Sequence, residues 1–200
     1  MKNIFKTKFN TATIVLIPAC IGINYLGKIF ASFLKLPLWL DSIGTCIGGV
    51  LGGPIIGAIC GAANNLIYGF TTGDSITLVY AITSLGIGAA VGILARLGKM
   101  HKLSGAIITA IVAGAVAVLI STPLNVLFWG GQTGNVWGDA VFAACQAQHL
   151  PLFLSSFIDE IIVDVPDKLV TLLVVFMIVK GLPKKLTSLY DVKEDVERLD

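Results

Sequence analysis

Long stretches without a charged side chain alternate with short charged segments along this chain. Asp, Glu, Lys and Arg are absent from four stretches of 19, 32, 21 and 36 residues, at 9–27, 42–73, 75–95 and 103–138. Uncharged apolar runs of about 18 residues or more are typical of helices that cross a membrane. The pattern therefore predicts an all-α membrane protein. It excludes a soluble globular domain, a nucleic-acid-binding protein and a disordered tail.

Six crossings fit this pattern. About 20 helical residues cross a bilayer, which predicts single crossings at 10–34, 76–95, 103–128 and 161–179. The segment 38–70 has 33 residues, and as one helix it would extend about 50 Å, which is too long for one crossing. Its middle contains Gly52-Gly53-Pro54, and proline is favourable in the first turn of a helix but breaks an interior. We therefore expect two short helices, the second and third of six, joined by a tight Gly-Gly-Pro turn.

The positive charges give the orientation. Lys and Arg favour cytoplasmic loops near the ends of spans, and with six crossings both termini and 11 of the 14 basic residues lie on the cytoplasmic side. These are Lys2, Lys6, Lys8, Arg96, Lys99, Lys102, Lys180, Lys184, Lys185, Lys193 and Arg198. A single crossing at 38–70 would place the cluster at 96–102 outside. We expect a multi-pass protein of the cell membrane, with a six-helix transmembrane domain at 1–186 and a polar cytoplasmic tail at 187–200.

The composition indicates how the helices pack, and the cysteine positions give no indication of a metal site. The chain is 56% hydrophobic and 13% charged, has a mean hydropathy of +0.88, and contains 22 glycines. Helices associate in a bilayer through close packing, and small residues four apart let their backbones approach. The four cysteines lie singly in apolar segments, which indicates neither a disulfide framework nor a metal site. We expect no metal and no cofactor.

Aromatic and polar residues gather on the predicted outer side. Trp39, Trp129 and Trp137 all lie on or near that face. An interfacial aromatic belt explains tryptophan there, but a belt serves both interfaces and the cytoplasmic one has none, which favours ligand contacts. Polar groups near the outer helix ends either bridge helices or bind a ligand. The candidate substrate-binding residues from these two sets are Trp39, Asn65, Tyr68, Tyr80, Asn125 and Trp129.

Asp164 and Lys168 complete the candidate site. They lie four residues apart, so they share one helix face and can pair. Ionisable groups at membrane depth are costly and usually functional. The alternative is an acidic helix start at the outer interface, which the helix dipole favours. Asp41, in Trp39-Leu40-Asp41-Ser42, is expected to act as the N-cap of the second helix.

Motifs of enzyme active sites are absent. The chain has no GxxxxGK[ST], no HExxH and no GxSxG sequence. Its two histidines, His101 and His149, lie on opposite sides of the membrane in this topology, so they cannot share a site. We expect no enzymatic activity.

Several segments carry a family resemblance. They are LPLWLDSIGT at 36–45, LGGPIIGA at 51–58, NNLIYG at 64–69, DK at 167–168 and LPKK at 182–185. With six helices and no ATPase motif, the chain resembles the substrate-binding S components of energy-coupling factor (ECF) transporters over about residues 10–185. The resemblance implies capture of a water-soluble vitamin or related micronutrient on the outer side. It also implies delivery with a transmembrane coupling subunit and two ATPase subunits.

The resemblance leaves docking and substrate open. Many members of that family dock through an Ala-x-x-x-Ala motif on the first helix, which this chain lacks. Gly27 and Ala31, or Gly57 and Gly61, have the same spacing, and we expect docking there. Pantothenate, pyridoxine and cobalamin all remain candidate substrates. The alternative function is the transmembrane sensor module of a signalling protein. A sensor should continue into a kinase or cyclase domain, whereas this sequence ends about 15 residues after Lys185.

Overall fold

Helices account for most of the chain that the computed structural model describes, which comprises residues 4–5, 7 and 9–190 and contains no strand. Lys2, Lys6, Lys8, Lys193, Arg198 and most of the expected tail at 187–200 lie outside the described residues. The helices are α1 (Thr11–Leu34), α2 (Ile43–Gly52), α3 (Pro54–Thr72), α4 (Ser75–Val79), α5 (Ala81–Arg96), α6 (Leu103–Trp129), α7 (Val136–Ala147), α8 (Leu152–Gly181) and α9 (Lys184–Thr187). A 3₁₀ turn at Lys99–His101 precedes α6.

The helices α1, α3 and α6 are long and apolar enough to cross a membrane, and α2 and α5 are shorter apolar helices. Large apolar side chains point outward from the bundle, with Phe33 82% and Leu127 75% exposed. Contiguous apolar surface of this kind is rare on soluble monomers. The all-helical membrane fold expected from the sequence is confirmed.

A single glycine separates α2 from α3. Gly53 has φ 90° and ψ −177°, a region that L side chains rarely adopt. Pro54 then occupies the first turn of α3, where its missing N–H costs nothing because the first turn has no internal acceptor for it. One residue therefore connects the ten-residue α2 to the 19-residue α3, and the two helices pack against each other.

The start of α2 is capped by a distant side chain. Asn24 on α1 accepts hydrogen bonds from the backbone N–H groups of Gly44 at 2.6 Å and Thr45 at 3.2 Å. The N-cap residue itself is Ser42, which makes no side-chain cap. The expectation that Asp41 caps this helix is therefore wrong, because an amide from the neighbouring helix fills that role.

Two helix boundaries also differ from expectation. The last long helix, α8, begins at Leu152 and has 30 residues, whereas the sequence predicts a start at 161. The acidic residues at 159–167 consequently lie inside the helix, so the alternative of an acidic helix start is wrong. The outer segment at 129–160 also contains a separate helix, α7. The charged residues at 159–167 made the sequence-based prediction start this helix too late. In the fold they lie inside α8, where Lys168 pairs with Asp164 and Asp167.

The apolar core and the polar interior occupy opposite ends of the bundle. Leu16 and Cys20 near the start of α1 pack with Ile56 and Cys60 early in α3, and with Leu172 late in α8. Most buried polar side chains lie toward the other end, at the start of α5, near the end of α6 and along α8 as far as Lys168. This division leaves one end of the bundle free for a polar site.

Candidate functional site

A cavity of about 270 Å³ lies at the polar end of the bundle. The loops after α1, α3 and α6 all contribute to its walls, through residues such as Trp39, Asp74 and Asn135. Residues of α1, α3, α4, α5, α6, α7 and α8 supply the remainder. Small-molecule sites commonly form where several elements enclose apolar walls and a few polar groups.

Two of these loops are tied together beside the cavity. The indole Nε1 of Trp137 donates to the Lys35 carbonyl at 3.0 Å, and Asn135 Nδ2 donates to the Leu36 carbonyl at 3.4 Å. Asp139 accepts from the backbone N–H of Thr133 at 3.0 Å. These contacts hold the segment after α6 against the end of α1.

Neutral polar pairs form one wall. Asn65 Nδ2 on α3 donates to Ser84 Oγ on α5 at 2.9 Å. The hydroxyls of Thr83 on α5 and Ser121 on α6 are 3.1 Å apart. Asn65, Thr83, Ser84 and Ser121 all line the cavity, so they offer donors and acceptors to a bound molecule.

Lys168 is a buried cation between two carboxylates. It is 1% exposed, and its Nζ lies 2.5 Å from Asp167 Oδ2 and 3.4 Å from Asp164 Oδ1. Asp167 Oδ1 also accepts from the backbone N–H groups of Trp39 at 3.0 Å and Leu40 at 2.9 Å. Because Leu40 has the positive φ of 52°, which L residues rarely adopt, this carboxylate holds the loop in an unfavourable conformation.

A second hydrogen-bonded chain connects α5, α6 and α8. The Tyr80 hydroxyl donates to Asn125 Oδ1, and Asn125 Nδ2 donates to Glu160 Oε1 at 2.5 Å. The Tyr80 ring stacks on Trp129, with ring centroids 5.5 Å apart. Tyr80 and Glu160 line the cavity, while Asn125 and Trp129 support them from behind.

Lys28 and Asp41 face the cavity from the side of α1. Lys28 Nζ donates to Thr77 Oγ1 at 2.5 Å and lies 4.6 Å from the centre of the Tyr68 ring. The Asp41 carboxylate makes no hydrogen bond or ion pair with the rest of the described chain. Burial raises the pKa of Asp41, against the opposing effect of Lys168 and Lys28.

Metal coordination has no ready site. Within the described ranges, no three or more His, Cys, Asp or Glu side chains are placed to hold a metal ion. The arrangement is suited to binding a small polar molecule between aromatic side chains and charged groups.

Comparison with known proteins gives the family. The model of the ECF transporter, substrate-specific component family matches residues 12–190. The chain belongs to this family. No curated protein and no solved structure matches it. It is accordingly a substrate-binding subunit of a transporter and a multi-pass cell membrane protein. The family implies association with the transmembrane and ATPase components of ECF transporters and with a small-molecule substrate.

The structure of this substrate-specific component brings the eight candidate binding residues to one region. Six of them line the cavity: Trp39, Asn65, Tyr68, Tyr80, Asp164 and Lys168. The other two, Asn125 and Trp129, contact Tyr80 directly. A role in substrate binding stays a prediction for all eight.

The four expected docking residues have contacts within the substrate-specific component. A Cβ at Gly27 would lie 2.2 Å from the Leu40 carbonyl oxygen, at Gly57 2.5 Å from that of Gly88, and at Gly61 2.5 Å from that of Ser84. Ala31 lines the cavity. Partner docking at these positions stays a prediction.

Sequence reasoning missed several cavity residues of this substrate-specific component. Glu160, Lys28, Asp74 and Asp41 all line the cavity but were not among the candidates. An ionisable residue inside or beside an apolar segment indicates a functional site. That criterion, which selected Asp164 and Lys168, would have selected Lys28 and Glu160 as well. Asp41 was instead assigned to a helix cap.

Proposed function

We propose that this chain captures a small, water-soluble, vitamin-like compound outside the cell and delivers it inward together with ATPase partners. The site that does this is the cavity at the polar end of the bundle. The transmembrane domain at 1–186 crosses the membrane six times, and both termini and the tail at 187–200 are cytoplasmic.

One observation carries this proposal: the cavity lies where the three predicted outer loops meet, at 35–42, 71–75 and 129–160. Those loops hold Trp39, Asp74 and Thr133 against the cavity, while the basic cluster Arg96, Lys99 and Lys102 lies at the other end of α5. Because Lys and Arg favour the cytoplasmic side, this distribution of positive charge supports an orientation in which the cavity faces outward. Its volume of about 270 Å³ is close to the lower range for small-molecule sites.

Six crossings follow from combining the observed helices. We assign one crossing each to α1, α3, α6 and α8, and a joint crossing to α4 with α5. The remaining crossing is assigned to α2, whose ten residues extend only about 15 Å, which is shorter than the hydrocarbon core. The short helix α7 then lies on the outer side, and its residue Trp137 is 56% exposed. The length of α8, 30 residues, corresponds to about 45 Å and allows it to extend beyond the bilayer.

Uptake with and without active partners tests the proposal. The chain is expressed in cells with the coupling subunit and the two ATPases, and accumulation of radiolabelled water-soluble vitamins is measured. The matched control replaces the catalytic glutamate of each ATPase with glutamine. We expect accumulation only with active ATPases, and binding by the purified chain alone.

Uptake by the chain alone, undiminished by ATPase inactivation, would contradict the proposal. Mass spectrometry of compounds that co-purify with the detergent-solubilised chain identifies the substrate independently.

A further inference from the structure

Carboxyl groups outnumber lysines around the cavity. Four carboxylates line it and a fifth lies behind it, whereas three lysines line it. The carboxylates are Asp41, Asp74, Glu160, Asp164 and Asp167, and the lysines are Lys28, Lys35 and Lys168. By formal count the cavity therefore has more carboxyl groups than lysines, and burial raises the pKa of the Asp41 carboxyl.

Two of the carboxyl groups form no ion pair with a lysine in the described chain, although Lys168 and Lys28 act on Asp41 from a longer distance. Glu160 is 2% exposed, and its hydrogen-bond donor is the neutral amide of Asn125. Asp41 has no hydrogen bond or ion pair within the described residues. By contrast, Asp74 caps the start of α4 by accepting from Ile76 and Thr77. Burying a carboxylate without a cation is costly, so a positively charged ligand would relieve this cost.

Two of the three lysines that line the cavity are already engaged by other groups of the chain. Lys168 Nζ already contacts Asp167 and Asp164, and Lys28 donates to Thr77 and lies over the Tyr68 ring. A ligand anion beside Glu160 would meet a carboxyl group without an ion pair, one helical turn from Asp164, whose charge Lys168 already pairs. The electrostatics of the cavity therefore disfavour an anion along α8.

The aromatic side chains at the cavity also favour a positively charged ligand. Tyr80 lines the cavity beside Glu160, and its ring is held by stacking on Trp129. Tyrosine and tryptophan faces attract cations, an interaction that strengthens when water is excluded. A cationic nitrogen near Glu160 would contact a carboxylate and lie close to an aromatic ring.

We propose that the transported compound carries a cationic nitrogen, as an ammonium or a charged nitrogen heterocycle, which binds against Glu160 and Asp164 on one side and Asp41 on the other. This inference rests on the proposed function, because it concerns the charge of the molecule that the cavity holds.

Equilibrium binding to the purified full chain in detergent tests the charge. Pyridoxamine and pyridoxine form a matched pair that differs in an ammonium against a hydroxyl group. Because both contain the same pyridine ring, which can carry a pyridinium charge, the pair tests the ammonium alone. Three further probes are thiamine, which is a second cation, riboflavin, which is neutral, and pantothenate, which is an anion. We expect a cationic probe to bind at least about 10-fold more tightly than every neutral or anionic one, as a charge-assisted hydrogen bond predicts.

Substitution of one carboxylate tests the position. Glu160→Gln keeps an acceptor for Asn125 but removes the charge, so we expect about 10- to 100-fold weaker binding of the cationic probe. Asp159→Asn is the matched control, because Asp159 is the adjacent residue of α8, is equally buried, and contacts Thr133 instead of lining the cavity. Its affinity should stay within about 3-fold of the unmodified chain.

If Glu160→Gln does not fold, Asp41→Asn serves as the second variant, and it should weaken cation binding by about 10-fold. Tightest binding by a neutral or anionic probe, or unchanged cation affinity in the folded variant, would overturn the inference and leave the proposed function intact. Failure of every probe and of cobalamin to bind, together with no small molecule co-purifying with the chain in mass spectrometry, would overturn the proposed function and the inference with it.

Discussion

Lys168 shows how a charge is accommodated inside this bundle. Its ammonium contacts Asp164 and Asp167, and Asp167 in turn holds the backbone of Trp39 and Leu40. Removing one partner of a buried ion pair leaves an uncompensated charge, which costs more than the pair itself contributes. The lysine is therefore required for the two carboxylates as well as for the loop that they position.

Lys168→Met is expected to destabilise the chain by about 3–5 kcal/mol, because two buried carboxylates lose their cation. The unfolding temperature in detergent, followed by tryptophan fluorescence, measures this. Lys180→Met on the same helix is the matched control, since Lys180 is exposed, and it should change stability by about 0.5 kcal/mol or less. Equal unfolding temperatures for the two variants would contradict the assigned role of Lys168.

Glycine packing between α3 and α5 gives a second residue-scale prediction. A Cβ on Gly88 would lie 2.2 Å from the backbone carbonyl carbon and oxygen of Gly57. Backbone cannot move aside as a flexible side chain can, so Gly88→Ala should destabilise the chain by about 1–3 kcal/mol.

Gly22→Ala is the control for Gly88→Ala. A Cβ at Gly22 meets nothing within 4 Å, and alanine favours helix over glycine by up to about 1 kcal/mol. The unfolding temperature should therefore fall for Gly88→Ala, and it should stay equal or rise for Gly22→Ala. A fall of the same size in both would show that the α3–α5 contact is not the cause.

At the scale of elements, the reversal between α2 and α3 depends on the backbone of Gly53. This residue has φ 90° and ψ −177°, and the Arg96 guanidinium would lie 3.0 Å from an added Cβ. Gly73, at the end of α3, has φ 73° and ψ 16°, a left-handed conformation that asparagine tolerates. The two glycines therefore have different constraints although both have positive φ.

Asparagine substitution separates these constraints. Gly53→Asn should destabilise the chain by about 1–3 kcal/mol, because its backbone region is almost restricted to glycine. Gly73→Asn should cost about 1 kcal/mol or less, since no atom lies within 4 Å of its Cβ position. Thermal unfolding in detergent compares them, and a larger loss for Gly73→Asn would refute this account.

Helix α8 carries the charged residues of the site on a single continuous element. Glu160, Asp164 and Lys168 follow one another at intervals of four residues, so they lie along one face. All three line the cavity. Because one helix positions both carboxylates and the lysine, their spacing is fixed by helix geometry, and the loops adjust around them.

At the scale of the whole molecule, the loops beside the cavity are joined by contacts between distant parts of the chain. Trp137 Nε1 and the Lys35 carbonyl are 102 residues apart in sequence and 3.0 Å apart in space. Loops held in this way should slow the exit of a bound compound.

Trp137→Phe removes this hydrogen-bond donor, and we expect the substrate to dissociate about 2- to 10-fold faster, as loss of one hydrogen bond predicts. Stopped-flow measurement of dissociation from the purified chain checks the rate. Phe153→Leu is the control, because Phe153 is an aromatic of similar exposure, 55%, with no hydrogen bond to offer. An equal increase in both variants would mean that the indole N–H does not restrain the loops.

Much of the architecture was predictable from local patterns. Charge-free runs indicated membrane helices, and Gly52-Gly53-Pro54 lies where α2 gives way to α3. The family resemblance agreed with the match over residues 12–190. Chain length and hydropathy set these features, and both are read directly along the sequence.

Partners far apart in the chain were not predictable in the same way. Asp167 and Trp39, 128 residues apart, form one hydrogen-bonded unit, and Asn24 replaces the expected cap of α2. The start of α8 was misplaced because an isolated acidic segment resembles a helix end, whereas the fold supplies Lys168 and Asn125 as partners. Hydropathy along the chain thus established a membrane bundle with one polar end. The free energy of each buried charge depends on its neighbours in space, so the partners of Asp164 and Lys168, and the positions of Asp41 and Glu160 at the cavity, followed only from the tertiary structure.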